Sequence, residues 1–129
     1  MDKDAMYLML EGKNVEKLWE AILPGLDDTM LDQIQVKRKI EEPHGLAGEP
    51  VTIALCIASV SVAAIVAVTR IIEKVIESRQ QKDHIRIIAD VVEKSPEAAR
   101  ILEGLAKKYA DVSIAQGSPG LSAKFDFEQ

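Results

Sequence analysis

Residues 51–69, VTIALCIASVSVAAIVAVT, run for nineteen positions without a charge and end against Arg70. A chain that carries such a run has to hide it, because about 20 uncharged residues at ~1.5 Å rise match a helical bilayer crossing. The run is rich in Ala and Ser, so its hydrophobicity is moderate. Beyond Thr69 the pattern turns amphipathic, with Ile71, Ile72, Val75 and Ile76 on one face and Arg70, Glu73, Lys74 and Glu77 on the other. Read as one helix over 51–80, the segment is about 45 Å long. Its first two-thirds is apolar all round, which requires burial on every side, in lipid or in protein. The expectation is contact with a membrane, and burial in a soluble fold or oligomer is the alternative.

The flanks read as two similar units. Residues 1–40 give a strand over 5–11, MYLML closed by Gly12, then a helix opened by Asn14. Val15, Leu18, Trp19 and Ile22 recur at helical spacing before Pro24-Gly25 stops the pattern, which places Trp19 in the core. A half-exposed or edge strand over 31–40 follows, with Ile34 and Val36 alternating against Gln33, Gln35, Lys37 and Lys39. Residues 41–50, EEPHGLAGEP, form a linker, since two prolines and two glycines continue neither strand nor helix. Residues 83–115 repeat the strand-helix-strand order: IRIIADVV, then Ser95-Pro96-Glu97 as a strong helix start, a stripe of Ala98, Leu102, Leu105 and Tyr109, and a short strand over 112–115. The tail, 116–129, is turn-forming, with Phe125 and Phe127 alternating in what reads as an edge strand or a frayed end.

Without the central helix the order is βαββαβ, that of a ferredoxin-like α+β fold; counting it as a crossover gives βαβαβαβ and a parallel sheet. A single membrane crossing would put the two βαβ-like units on opposite sides of a bilayer and forbid a shared sheet. Loop charges do not orient the segment, because Lys37, Arg38 and Lys39 flank one end and Arg70, Lys74, Arg79 and Lys82 the other. Small residues stand four apart within it: Ala54 and Ala58, Ser59 and Ala63, Ala63 and Ala67. On a helix that spacing lets backbones approach, so these five residues are the expected seam of a homo-oligomer. Lys37, Arg38, Lys39 and Arg70 are the expected contacts for lipid head groups or an acidic partner.

No reaction is legible. The chain has two histidines forty positions apart and no HExxH, CxxC, serine elbow or glycine-rich loop after a strand. The expectation is a protein that is not an enzyme and holds no metal or cofactor. The acids and histidine of the linker, Glu41, Glu42, His44 and Glu49, read as a solvated loop. A formal net charge of -5 argues against general nucleic-acid binding. Cys56, the single cysteine, lies inside the apolar run and reads as a small hydrophobe. The N-terminus MDKDAMYLML lacks the order of a signal peptide.

YLMLEG, the helix around LWEAIL, the PHGLAGE linker, the apolar run and its exit TRIIEKVIESR together resemble the small effector-associated constant component proteins of bacterial conflict systems. The resemblance covers about residues 6–79. It implies an accessory or membrane-acting role without catalysis, beside proteases or other effectors in defence against phage. The resulting expectation is a self-assembling anchor, adaptor or pore-forming component at the cell membrane, with itself, membrane lipid and an effector or protease as partners. A soluble, cytoplasmic homo-oligomeric adaptor with the apolar helix buried between subunits is the alternative.

Overall fold

A computed structural model describes residues 4–41, 52–80, 83–117 and 120–127. The chain is α+β, with a five-stranded mixed sheet and five helices among those residues. In order they are β1 (Met6–Gly12), α1 (Val15–Ile22), a 3-10 turn (Leu23–Gly25), α2 (Asp28–Asp32), β2 (Gln35–Glu41), β3 (Thr52–Ser59), α3 (Val62–Ser78), β4 (Ile85–Asp90), α4 (Pro96–Lys108), β5 (Val112–Gln116) and α5 (Leu121–Lys124). The strands lie side by side as β2-β3-β1-β4-β5. β3 pairs antiparallel with both β2 and β1, β1 pairs antiparallel with β4, and β4 pairs parallel with β5.

The apolar run is not one helix. Its first part is β3, and a helix begins only at Val62. The change of state is written in two serines: the Ser61 backbone N–H donates to Ser59 Oγ at 3.0 Å, and Ser61 Oγ caps α3 by accepting from the Ala64 N–H at 3.1 Å. β3 lies inside the sheet and both its faces are covered, so it needs apolar residues at every position and shows no alternation. Such a run carries no periodicity that separates strand from buried helix. α3 has seventeen residues, with Arg70, Glu73, Lys74 and Glu77 in its second half. No helix among the described residues is long and apolar enough to cross a membrane. Since Thr52–Ser59 is a strand, the run is not the single long helix expected over 51–80.

With β3 counted, β1-α1-β2-β3-α3-β4 follow the βαββαβ order, and α4-β5 extends the sheet by a parallel strand beyond β4. The expected order is therefore present but made of different elements. Strand 112–116 is the extra one, not the fourth of the set.

α1, α3 and α4 all cover one face. There Leu8, Leu10, Leu55, Ile57 and Ile87 pack with Leu18, Trp19, Ile22, Ile65, Ile72, Leu102 and Leu105 in one core, and Ile34 and Val36 lean on it. The other face is smaller: Tyr7, Met9, Ala54, Cys56 and Ala58 lie under Leu121, Phe125 and Phe127. The tail is thus a helical turn packed on the sheet, not an edge strand. Most of linker 41–50, including Glu42, His44 and Glu49, lies outside the described residues.

Candidate functional site

β2 is one edge of the sheet, and its register fixes which side chains look at the tail. Lys37 stands opposite Cys56 and Lys39 opposite Ala54, so both share the face that carries α5. Arg38, between them, belongs to the helix-covered face, where its Nε donates to Glu16 Oε1 at 2.6 Å. The chain crosses this second face and returns to β2, so that Lys124, Phe125 and Asp126 meet Lys37, Arg38 and Lys39 around a cleft of about 390 Å³.

The cations in the cleft lie against a carbonyl and aromatic rings. Lys37 Nζ donates to the Asp126 carbonyl oxygen at 2.8 Å and lies 5.1 Å from the centre of the Phe127 ring. Lys124 Nζ lies 6.0 Å from the Phe125 ring centre. A carbonyl and the face of a ring both attract an ammonium, yet neither carries a net charge. Lys37, Lys39 and Lys124 thus bring three ammonium groups to one cleft beside the Asp126 carboxylate. Beneath them Cys56 is fully buried. Burial pushes its thiol up to about 12, with nearby Lys124 pulling slightly the other way.

A second hollow, about 210 Å³, opens between α1, the end of α3 and the start of β4. Its walls are mostly Val15, Leu18, Ala21 and Val75, with Asn14 and Arg79 at the polar rim. Asn14, expected to cap α1, instead donates its side-chain amide to Asp83. Arg79 bonds the Asp111 carboxylate and the Asp83 carbonyl, and its side chain is only 10 % exposed. These bonds join α3 to the β4 and β5 ends, while Arg79 Nε is buried with no hydrogen-bond partner among the described residues. The cleft at β2, where three lysines converge, is the candidate site.

The expected site residues separate into three places. Lys37, Arg38 and Lys39 gather at the cleft, while Arg70 is on α3, paired with Glu97 in an exposed contact on the helix side. Ala54, Ala58 and Ser59 belong to β3 and are buried, Ser59 Oγ donating to the Gln33 carbonyl at 2.7 Å. Ala63 and Ala67 belong to α3, exposed and half-buried respectively. No single helix face carries all five, because the chain changes from strand to helix between Ser59 and Val62. Lys124 and Asp126 were not legible as site residues, since 89 positions separate Lys37 from Asp126. The only signal for their segment was the alternation of Phe125 and Phe127. Comparison with known proteins finds no matching family model, curated protein or solved structure.

Proposed function

We propose that the chain is a noncatalytic adaptor that holds an acidic segment of a protein partner in the cleft between β2 and α5. The carrying observation is the convergence of Lys37, Lys39 and Lys124 on one aromatic-walled cleft in a chain whose formal net charge is -5. Such a field steers an acidic partner and fixes its register more than it adds raw affinity. The resemblance of residues 6–79 supplies the setting, an accessory component of a bacterial defence system, with an effector or protease as the partner. Burial of Ala54–Ser59 and of Ala64, Ile65, Val68 and Thr69 in the chain's own core supports this reading over a membrane anchor.

Titration with a synthetic peptide of alternating Glu and Val tests it. Binding should weaken as salt is raised, since exposed charges are screened over about 8–10 Å near physiological ionic strength. Lys37→Glu with Lys39→Glu should weaken it at least about tenfold, the equivalent of ~1.4 kcal/mol. Wild type that ignores the peptide, or binding untouched by the reversals, overturns the proposal. Capture on phosphatidylserine vesicles without peptide binding would reassign the cleft to a lipid surface.

A further inference from the structure

β5 is the other edge of the sheet, and its outer side is specified by its bonds to β4. The Ile85 N–H donates to the Asp111 carbonyl at 2.9 Å and the Gly117 N–H to the Ala89 carbonyl at 2.9 Å. In a parallel ladder these two bonds fix the phase: residues 111, 113, 115 and 117 turn their backbone groups to β4, and Val112, Ile114 and Gln116 turn theirs outward. The Val112 N–H is taken by the Tyr109 carbonyl at 3.2 Å. The N–H and C=O of Ile114 and Gln116 face away from the sheet, and no described strand pairs there.

Edge strands are usually guarded by charge, proline or a bulge. β2 carries Lys37, Arg38 and Lys39, so pairing β2 with its own copy would set like charges against each other. β5 reads Val-Ser-Ile-Ala-Gln, with neither charge nor proline. We infer that β5 pairs antiparallel with β5 of a second copy of this chain, about a two-fold axis at Ile114, making one ten-stranded sheet.

The register follows from the outward groups. Ile114 meets Ile114, exchanging two N–H···O=C bonds, and each Gln116 N–H reaches the Val112 carbonyl of the other copy. The Val112, Ile114 and Gln116 side chains lie on the helix-covered face, so the two Ile114 side chains extend the existing core across the axis. Gln116 Nε2 donates to the Ala99 carbonyl at 3.2 Å and to Glu103 Oε1 at 3.1 Å, so α4 runs antiparallel to β5.

This pairing is independent of the cleft at β2, which lies at the opposite edge. Sedimentation equilibrium of the full chain should give twice the chain mass at micromolar concentration. Ile114→Pro removes only an outward N–H, a substitution that edge strands accept, and should give a folded monomer by circular dichroism. Amide exchange of wild type adds a reading that needs no variant: the Ile114 and Gln116 amides should gain protection as concentration rises. A monomeric wild type, a dimer that survives Ile114→Pro, or concentration-independent exchange at Ile114 and Gln116 overturns the inference. Loss of peptide binding in Lys37→Glu with Lys39→Glu, with the dimer intact, separates the two claims.

Discussion

Cys56 sits on β3 between Lys37 of β2 and Met9 of β1, beneath the tail. Its thiol is raised to about 12 by burial, whereas an unfolded thiol ionises near ~8.5. Between those values the unfolded chain loses the proton and the folded chain keeps it. Stability from this group is therefore complete below about pH 8.5 and declines as pH rises toward 12. At pH 10 the loss relative to pH 8 should approach ~2 kcal/mol, at about 1.4 kcal/mol per pH unit. Comparing thermal melts of wild type and Cys56→Ala over this range isolates the contribution, since the lysines are common to both. Arg79 is the residue-scale tie on the other face. Its removal leaves Asp111 partly buried without its cation, and Arg79→Ala should cost roughly 3 kcal/mol in urea unfolding. Gly12 is fixed by a close approach, because a Cβ there would lie 2.8 Å from the His84 carbonyl oxygen. Gly12→Ala should destabilise by about 1–3 kcal/mol through a shifted β1-β4 end.

Elements differ in how openly the sequence declares them. α1 and α4 have apolar stripes and stop signals, and β1 and β4 have turn residues near their ends, so all four were legible within a few residues. The run from Val51 hid two elements because β3 is buried on both faces and α3 begins in small apolar residues. Only the spacing Ser59-Val60-Ser61, two hydroxyls around an exposed valine, marks the boundary, and serine is common enough in apolar runs to pass unnoticed. Ser61→Ala should cost α3 about 1 kcal/mol through loss of its cap. Half of the cleft was legible as a basic stretch on an edge strand. The other half depends on long-range packing of Phe125 and Phe127 against Tyr7, Met9 and Ala54, which no local pattern encodes. That dependence is testable: a chain ending at Gly120 loses Leu121, Phe125 and Phe127 from the second face. Cys56 should then react with thiol reagents under native conditions, while in the full chain it stays inert, and the melt should fall by several degrees.

At the scale of the whole molecule, the position of β1 explains why the two halves of the sequence form one body. β1 bonds β3 on one side and β4 on the other, and β3 separates β1 from β2. A fragment ending at residue 41 therefore has two strands that never touch, and the rest lacks the strand that joins β3 to β4. Neither fragment should fold alone. The same order puts the basic cleft at the β2 edge and the unguarded strand at the β5 edge, so pairing through β5 leaves both clefts open at the far ends of the ten-stranded sheet. Nine strand spacings of about 4.8 Å separate the two β2 edges by roughly 43 Å before twist. Acidic peptides spread densely on a bead would engage both clefts of one dimer, whereas a free peptide engages one. Avidity of this kind commonly raises apparent affinity by about 10²–10⁴ without any new contact. Wild type should bind peptide-coated beads far more tightly than the peptide in solution, and Ile114→Pro should bind both alike. Equal bead affinity for wild type and Ile114→Pro, with free-peptide affinity unchanged, would show that the two edges do not act together.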